Sequence, residues 1–417
     1  MKMKTLTLIT LICSLSLVGC GGGGGGGSGG SGGGSVQQSP GTSTPAPVIN
    51  EGAKLLIKAP KNLSARNIVI AVADSGVNSE HSEFYETGID GRSASFASEL
   101  VTDTNGDLAY ELRPVYSDGY RPDASDTRSN QATSHGTAVA SLIFGKESGI
   151  TSGGNLLALD VVYSGSVDDG SFDPFGSVPD HLAAMLAVSE LSMSGTIDFL
   201  NLSIEGAGTY LNVPDNGGVH KDIFDLIPAT GTGIIGAAGN AALDLSEIYA
   251  SNTPACTDAE MDAATGYAFE RCYALKYDRE NREFVAYDDD DLRPYFIFVS
   301  AVNNSGQLAS FSNKPGASLK IQQRFIAAPG VNLKSAFYAD NDTFITVSGT
   351  SFAAPLVTAA AGAVKSNFSS LSSKAVLQIL LDTADKSFAG YNPEEHGMGI
   401  LDIEKALQVN PSNYLSI

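Results

Sequence analysis

The apolar run at residues 68–72 constrains the fold more than any other part of the sequence. It is continuous and mostly β-branched, a pattern typical of a strand that is buried on both faces of a parallel sheet. Similar apolar runs, which we also interpret as strands, follow at residues 156–162, 197–203 and 233–235. The sequence therefore predicts a sheet whose two faces are both covered.

Two polar residues stand next to predicted buried elements. Asp74 follows the strand at residues 68–72 and begins the sequence Asp-Ser-Gly. Open α/β sheets place their functional sites at this carboxyl end of a strand. His135 begins the sequence His-Gly-Thr and opens a helix of small and apolar residues. The alternatives are that Asp74 is a turn residue and that His135 is structural or simply exposed.

Ser351 lies in the sequence Gly-Thr-Ser-Phe-Ala-Ala-Pro at residues 349–355, just before an Ala-rich run that predicts a buried helix. A hydroxyl at a helix N-terminus is close to unpaired backbone N–H groups and to the positive end of the helix dipole. The same groups can hold a developing oxyanion. The alternative is that Thr350 or Ser351 only caps a core helix.

Asp74, His135 and Ser351 together supply a carboxylate, a base and a hydroxyl. A hydroxyl nucleophile needs an adjacent base, and the base needs a partner that fixes its tautomer. The three blocks resemble the signature sequences of the subtilisin-like serine proteases, in that family's order. The sequence Gly-Ala-Ala-Gly-Asn at residues 236–240 resembles a fourth block. The resemblance covers about residues 66–408. It implies a three-layer α/β fold with a mainly parallel central sheet and helices on both faces.

The resemblance implies a serine endopeptidase that hydrolyses peptide bonds in proteins or peptides through an acyl-enzyme. Ser351 would be the nucleophile, His135 the general base and acid, and Asp74 the partner of His135. Asn240 and the backbone N–H of Ser351 would bind the oxyanion. The resemblance also implies substrate contacts at Ser203, Ile204, Glu205, Gly206 and Gly239. No cofactor is required for this chemistry.

The sequence departs from the family pattern beside the signature blocks. Phe352 stands where methionine is frequent, and Ala138 and Leu356 stand where histidine is common. None of these positions carries the chemistry, so we expect a change in the shape of the site.

Two other functions remain open at this point. One is an esterase that uses the same three residues, and the other is a non-enzymatic surface adhesin built on the same scaffold. The formal net charge of −21 argues against nucleic acid as a partner, because such proteins carry a basic face. The sequence carries no pattern that predicts an oligomeric state.

The N-terminus predicts export and a lipid anchor. Residues 1–19 combine a basic start with an apolar core, which is typical of a signal peptide. The sequence Leu-Val-Gly-Cys, ending at Cys20, resembles a bacterial lipobox and implies lipidation of that sulfur. An ordinary signal peptide followed by an incidental cysteine is the alternative. The Gly/Ser/Pro-rich residues 20–50 would be a flexible tether, and residues 51–417 one catalytic domain with an insertion at about 241–293.

This combination is most like the autotransporter-type and lipoprotein serine proteases of Gram-negative bacteria. We expect an exported lipoprotein at the outer membrane or the cell surface. A periplasm-facing orientation stays open.

The remaining two cysteines and the acidic segments complete the predictions. Cys13 would leave with the signal peptide and Cys20 would carry lipid, so Cys256 and Cys272 are expected to pair as a disulfide. Residues 85–133 are polar and show no periodicity. Within them Asp103, Asn105 and Asp107 alternate without matching an EF-hand. These residues and the aspartates at 288–291 leave structural Ca²⁺ open but unassigned, with a solvated surface as the alternative.

Overall fold

The computed structural model describes residues 50–102, 108–114, 135–161, 178–203, 224–248, 254–264, 268, 271–272, 275 and 289–417. Pro47–Ile417 form one compact unit. The unit Met1–Ala46 lies wholly outside the described residues. The predictions for the signal peptide, for Cys20 and for nearly all of the tether therefore fall outside them.

The described residues contain a series of short strands and helices. The strands are β1 (Val69–Asp74), β2 (Gly88–Ile89), β3 (Ala94–Thr102), β4 (Leu108–Pro114), β5 (Asn155–Asp160), β6 (Phe199–Leu202), β7 (Gly233–Ala237), β8 (Phe296–Val302), β9 (Phe325–Pro329), β10 (Leu333–Ala336) and β11 (Phe344–Val347). The helices are α1 (Glu51–Leu56), α2 (His135–Phe144), α3 (Val178–Ser192), α4 (Ile227–Thr230), α5 (Leu245–Ile248), α6 (Asp258–Ala263), α7 (Leu319–Gln322), α8 (Thr350–Asn367), α9 (Ser373–Thr383), α10 (Pro393–His396) and α11 (Ile403–Leu407).

One large sheet organises the fold. Its strand order is β4-β3-β5-β1-β6-β7-β8-β9, and β2 pairs with β5 outside this path. Neighbours from β3 to β9 run parallel, whereas β3 and β4 are antiparallel. Strands β10 and β11 form a separate antiparallel pair. The predicted α/β architecture with a mainly parallel central sheet is confirmed.

Both faces of the sheet are buried, which explains the continuous apolar runs. Along β1, Ile70 and Val72 pack into the cluster that contains α2 and α8. Ala71 and Ala73 pack into the cluster on the other face, which contains α3. Alternate side chains of a strand point to opposite faces, so each face needs its own apolar set.

The antiparallel pair of β3 and β4 was not predicted. It falls inside residues 85–133, where the sequence shows no periodicity. Its register, with Phe96 opposite Pro114 and Thr102 opposite Leu108, depends on pairing between two segments. A local pattern reports pairing of this kind poorly, because strand preferences depend strongly on context.

Hydrogen bonds tie the first described residues to distant parts of the domain. The Asn50 side-chain amide donates to the carbonyl oxygens of Ser148 and Lys334, at 3.1 and 2.9 Å. Its oxygen accepts from the Lys334 N–H at 2.8 Å. Lys58 then bonds to Asp385 at 2.9 Å and to Asp402 at 2.6 Å. The N-terminal segment is thereby held against both β10 and the C-terminal segment.

We expect Lys58→Met to lower the melting temperature at pH 7 but to have little effect at pH 2. Hydrogen bonds from the Ser387 hydroxyl and from Lys58 lower the pKa of Asp385 from 3.8 to about 2. A lowered carboxyl pKa stabilises the folded state above pH 3.8, and this contribution disappears as the pH falls through 2. Partly exposed pairs of this kind contribute about 0.2–1 kcal/mol each.

Thermal melts of both proteins at the two pH values measure this difference. Lys386→Met removes an exposed neighbouring lysine and serves as the control. An equal loss at pH 7 and pH 2 would contradict the electrostatic origin of the effect.

The structure joins Cys256 and Cys272 in a disulfide that spans 16 positions of sequence. A loop of this size contributes on the order of 3 kcal/mol in the chain-entropy model. In the part of the chain that the structure describes, no helix is both long and apolar enough to cross a membrane.

Candidate active site

The carboxyl end of β1 places Asp74 against His135. Asp74 is 1% exposed, and its two carboxylate oxygens lie 3.0 and 2.9 Å from His135 Nδ1. The Ser75 N–H donates to Asp74 Oδ1 at 2.8 Å and fixes the carboxylate further. An ionised carboxylate can only accept, so Nδ1 carries a proton and Nε2 is the nitrogen left to act as a base.

The glycine after the histidine permits this approach. His135 is the first residue of α2, and the Gly136 N–H donates to Ser75 Oγ at 3.0 Å. A Cβ atom at residue 136 would lie 2.1 Å from the Gly76 carbonyl oxygen and 3.1 Å from Asp74 Cβ. Any larger residue would push the first turn of α2 away from β1, which accounts for the His-Gly sequence.

Ser351 is the second residue of α8, and it is 5% exposed. The next residue, Phe352, packs its ring against His135, with centroids 5.1 Å apart and planes inclined at 49°. This contact brings the first turn of α8 beside the imidazole. Phe352 stands where the family frequently has methionine, and it therefore places an aromatic ring against the His135 ring.

The Asn240 side chain is oriented by the start of α8. Its Oδ1 accepts from the Thr350 N–H at 2.8 Å and from the Thr350 hydroxyl at 3.1 Å. The Gly239 N–H donates to the same hydroxyl at 3.1 Å. Because Oδ1 faces Thr350, the Nδ2 group of the amide must point in another direction. These three hydrogen bonds hold the carboxyl end of β7 against the N-terminus of α8.

Sequence reasoning missed a residue that shapes the loop carrying Asn240. Asn313 is fully buried, and its Nδ2 donates to the Ala238 carbonyl at 2.8 Å. Its Oδ1 accepts from the N–H groups of Ala241 and Leu243, at 3.1 and 2.8 Å. One amide thus satisfies three backbone groups of the turn. Nothing in the local sequence distinguishes Asn313 from a surface asparagine.

The Ser203 side chain makes a hydrogen bond within the protein. Its hydroxyl is buried and donates to the Ser351 carbonyl oxygen at 2.7 Å. The sequence predicts a substrate contact at Ser203, and this stays a prediction beside the internal hydrogen bond. The other candidates after β6, residues 204–206, lie outside the described residues. Gly239 is in the turn before Asn240, with φ of 104°, a conformation that favours glycine.

The structure offers no metal centre in the parts of the chain it describes: no three His, Cys, Asp or Glu side chains are placed to hold an ion. The alternating residues 103–107 lie outside those parts, as does Asp288. What the described residues bring together is a carboxylate, an imidazole, a helix-terminal serine and an oriented amide. These are the groups needed for nucleophilic attack on a carbonyl with proton transfer and oxyanion binding.

The chain is similar to known proteins over most of its length. A family model described as the Subtilase family matches residues 65–399. Subtilisin E of Bacillus subtilis (strain 168) is 26% identical over 361 residues, covering 84% of this chain and 70% of the relative. Subtilisin DY of Bacillus licheniformis is 24% identical over 362 residues, covering 85% of this chain and 97% of the relative.

Solved structures show the same fold. The MycP3 protease from the type VII (ESX-3) secretion system matches with a TM-score of 0.57 and 21% identity, covering 89% of this chain and 90% of that one. A cold adapted subtilisin-like serine proteinase matches with a TM-score of 0.50 and 20% identity, covering 82% and 91%.

Proposed function

The chain belongs to the subtilase family and is a serine endopeptidase; we propose that Ser351, His135 and Asp74 carry out its reaction on protein or peptide substrates. The observation that supports this assignment most directly is the contact of His135 Nδ1 with the buried Asp74 carboxylate. It leaves Nε2 as the basic nitrogen, beside the first turn of α8. Ser351 lies in that turn, as the second residue of α8.

In the proposed reaction, Ser351 Oγ attacks the scissile carbonyl while His135 Nε2 takes its proton. The same nitrogen then gives the proton to the leaving amine, and an acyl-enzyme remains. A water molecule, deprotonated by His135, releases the acid product. Asp74 holds the tautomer and stabilises the imidazolium. Asn240 Nδ2 and the Ser351 N–H stabilise the oxyanion.

A fluorophosphonate probe tests whether Ser351 is activated. The mature protein and its Ser351→Ala variant are labelled in parallel, and the modified residue is located by mass spectrometry. We expect one tag, on Ser351, which is absent from the variant. Absence of labelling in folded wild-type protein would contradict the assignment.

We expect Asn240→Asp to lower kcat by about 10²–10³, the range found in subtilisin for loss of the corresponding donor. Aspartate keeps an oxygen that can accept from Thr350 but lacks the Nδ2 donor and adds a negative charge. Steady-state kinetics on a peptide substrate measure the loss. Asn303→Asp, on the loop after β8, is the matched control, and we expect it to retain wild-type kcat. Wild-type turnover in Asn240→Asp would exclude the proposed oxyanion role.

We propose that the chemistry needs no cofactor, because each step has a side chain or backbone group assigned to it. Treatment with EDTA should therefore leave the initial rate unchanged at temperatures where the fold is intact. A rate that is lost with EDTA at those temperatures, and restored by Ca²⁺, would show that a bound ion is needed for the active state.

We propose further that the enzyme is an exported lipoprotein anchored through Cys20, in the outer membrane or at the cell surface. The support is the sequence alone: a signal peptide, a lipobox-like tetrad and a Gly-rich tether. Burial of acyl chains contributes about 0.8 kcal/mol per CH₂, so two or more chains hold a protein on a membrane stably. Labelling with radioactive palmitate should mark the wild type but not Cys20→Ser. Equal labelling of both would refute the anchor.

A further inference from the structure

The first turn of α8 contains a backbone carbonyl that has no N–H donor four residues later. In an α-helix the carbonyl of residue i accepts from the N–H of residue i+4. For Ser351 that residue is Pro355, which lies inside α8 and has no N–H. The proline ring also crowds the carbonyl four residues before it. The proposed nucleophile therefore sits on a turn that lacks one of its own hydrogen bonds.

Ser203 supplies the missing donor. Its hydroxyl donates to the Ser351 carbonyl at 2.7 Å, and both residues are buried. The Ser203 hydroxyl is the donor of this bond because a carbonyl can only accept. A buried carbonyl without a donor destabilises the folded state, and the bond from Ser203 avoids this.

Two further buried side chains orient Ser203. Because its only hydrogen is directed to Ser351, its oxygen must accept from Asn201, whose Nδ2 lies 2.9 Å away. Asn201 Oδ1 in turn accepts from the Thr358 hydroxyl at 2.9 Å, and that hydroxyl shares its hydrogen with the Ala354 carbonyl at 3.1 Å. Thr358 is itself on α8, two turns after Ser351. The three bonds thus run from α8 through the end of β6 and back to α8.

Resting on the proposed function, we infer that Ser203 is a positioning residue for the nucleophile, and that it replaces the backbone donor that Pro355 lacks. Asn240 and Gly239 hold Thr350 on one side of Ser351. Ser203 holds the carbonyl on the other side. The backbone of the nucleophile is fixed from both directions before a substrate arrives.

A rescue experiment distinguishes this role from a contact with substrate. We expect Ser203→Ala to lower kcat and kcat/KM together by about tenfold to a hundredfold, the size typical of a small misplacement of a reacting group. Pro355→Ala restores an N–H that can reach the Ser351 carbonyl. The Ser203→Ala/Pro355→Ala double variant should therefore recover most of the lost kcat, and its fluorophosphonate labelling rate should recover in parallel.

Two results would overturn the inference: wild-type kcat in Ser203→Ala, or a loss that Pro355→Ala does not reduce. A raised KM with unchanged kcat would identify a substrate contact instead. If Ser203→Ala does not fold, Thr358→Val tests the outer bond, and wild-type kcat in that variant counts against the inference. Inactive wild-type protein would contradict the proposed function, whereas active wild type with an unaffected Ser203→Ala contradicts only this inference.

Discussion

Ser351→Ala should lower peptidase turnover about a million-fold, the size of the loss found in subtilisin when its nucleophile is removed. Without the hydroxyl no acyl-enzyme forms, and His135 has no proton to accept from the protein. Residual catalysis of about 10³–10⁴ over water can persist through oxyanion binding alone. Hydrolysis of a fluorogenic peptide over long incubation, with a no-enzyme blank, measures both quantities.

Ser348→Ala is the matched control for this substitution. Ser348 lies three residues earlier, is exposed, and accepts a hydrogen bond from the Asn332 N–H at 2.9 Å. We expect near-wild-type turnover in that variant. Turnover of Ser351→Ala within a hundredfold of the wild type, in a preparation free of other proteases, would mean that another group is the nucleophile.

Asp74→Asn should lower kcat by about 10⁴, the loss known for the corresponding change in serine proteases. The packing around residue 74 would stay intact, because asparagine has the same shape. Its amide group, however, can donate to His135 Nδ1, which selects the wrong tautomer and leaves Nε2 protonated. The imidazolium formed during catalysis also loses its buried counter-charge. Measurements of kcat across pH, with circular dichroism to show an intact fold, test the prediction.

A second aspartate, which directly precedes β6, controls for loss of a buried carboxylate next to β1. Asp198 lies at the opposite end of β1, 7% exposed, and its Oδ2 accepts from the Val69 N–H at 2.9 Å. Burial raises the pKa of the Asp198 carboxyl, so its charge does not stabilise the folded state at pH 7. Asp198→Asn keeps an acceptor for the Val69 N–H, and we expect both the melting temperature and kcat per folded molecule to stay near the wild type. An equal loss of kcat per folded molecule in both variants would mean that the effect of Asp74→Asn is not specific to the contact with His135.

The main elements could be predicted because they carry local signals. A strand such as β1 is apolar at every position since both its faces are covered, and a buried helix such as α8 is rich in small apolar residues. The residues proposed for the chemistry also stand at element ends, in short sequences with a resemblance to a known family.

Other features could not be predicted because they depend on contacts between distant segments. Asn313 contacts a turn about 70 residues away, and a single asparagine carries no local sign of this. The role of Ser203 depends on Ser351, 148 positions later. Residues at the end of β6 can face a substrate or the interior, and the sequence favours neither. The family resemblance predicts a substrate contact at Ser203, which stays a prediction, and the structure adds a bond from its hydroxyl to the carbonyl of Ser351.

The hydrogen bonds of the Asn50 side chain have a mechanical consequence for the proposed anchored enzyme. Among the described residues, Asn50 is the first through which tension from the N-terminal side would pass, and its side chain is bonded to the backbone of Ser148 and Lys334. A pull on residue 50 is thus shared among three hydrogen bonds that must break together. Part of such a force would therefore be passed to Ser148 and to Lys334 on β10, and would not act on α1 alone.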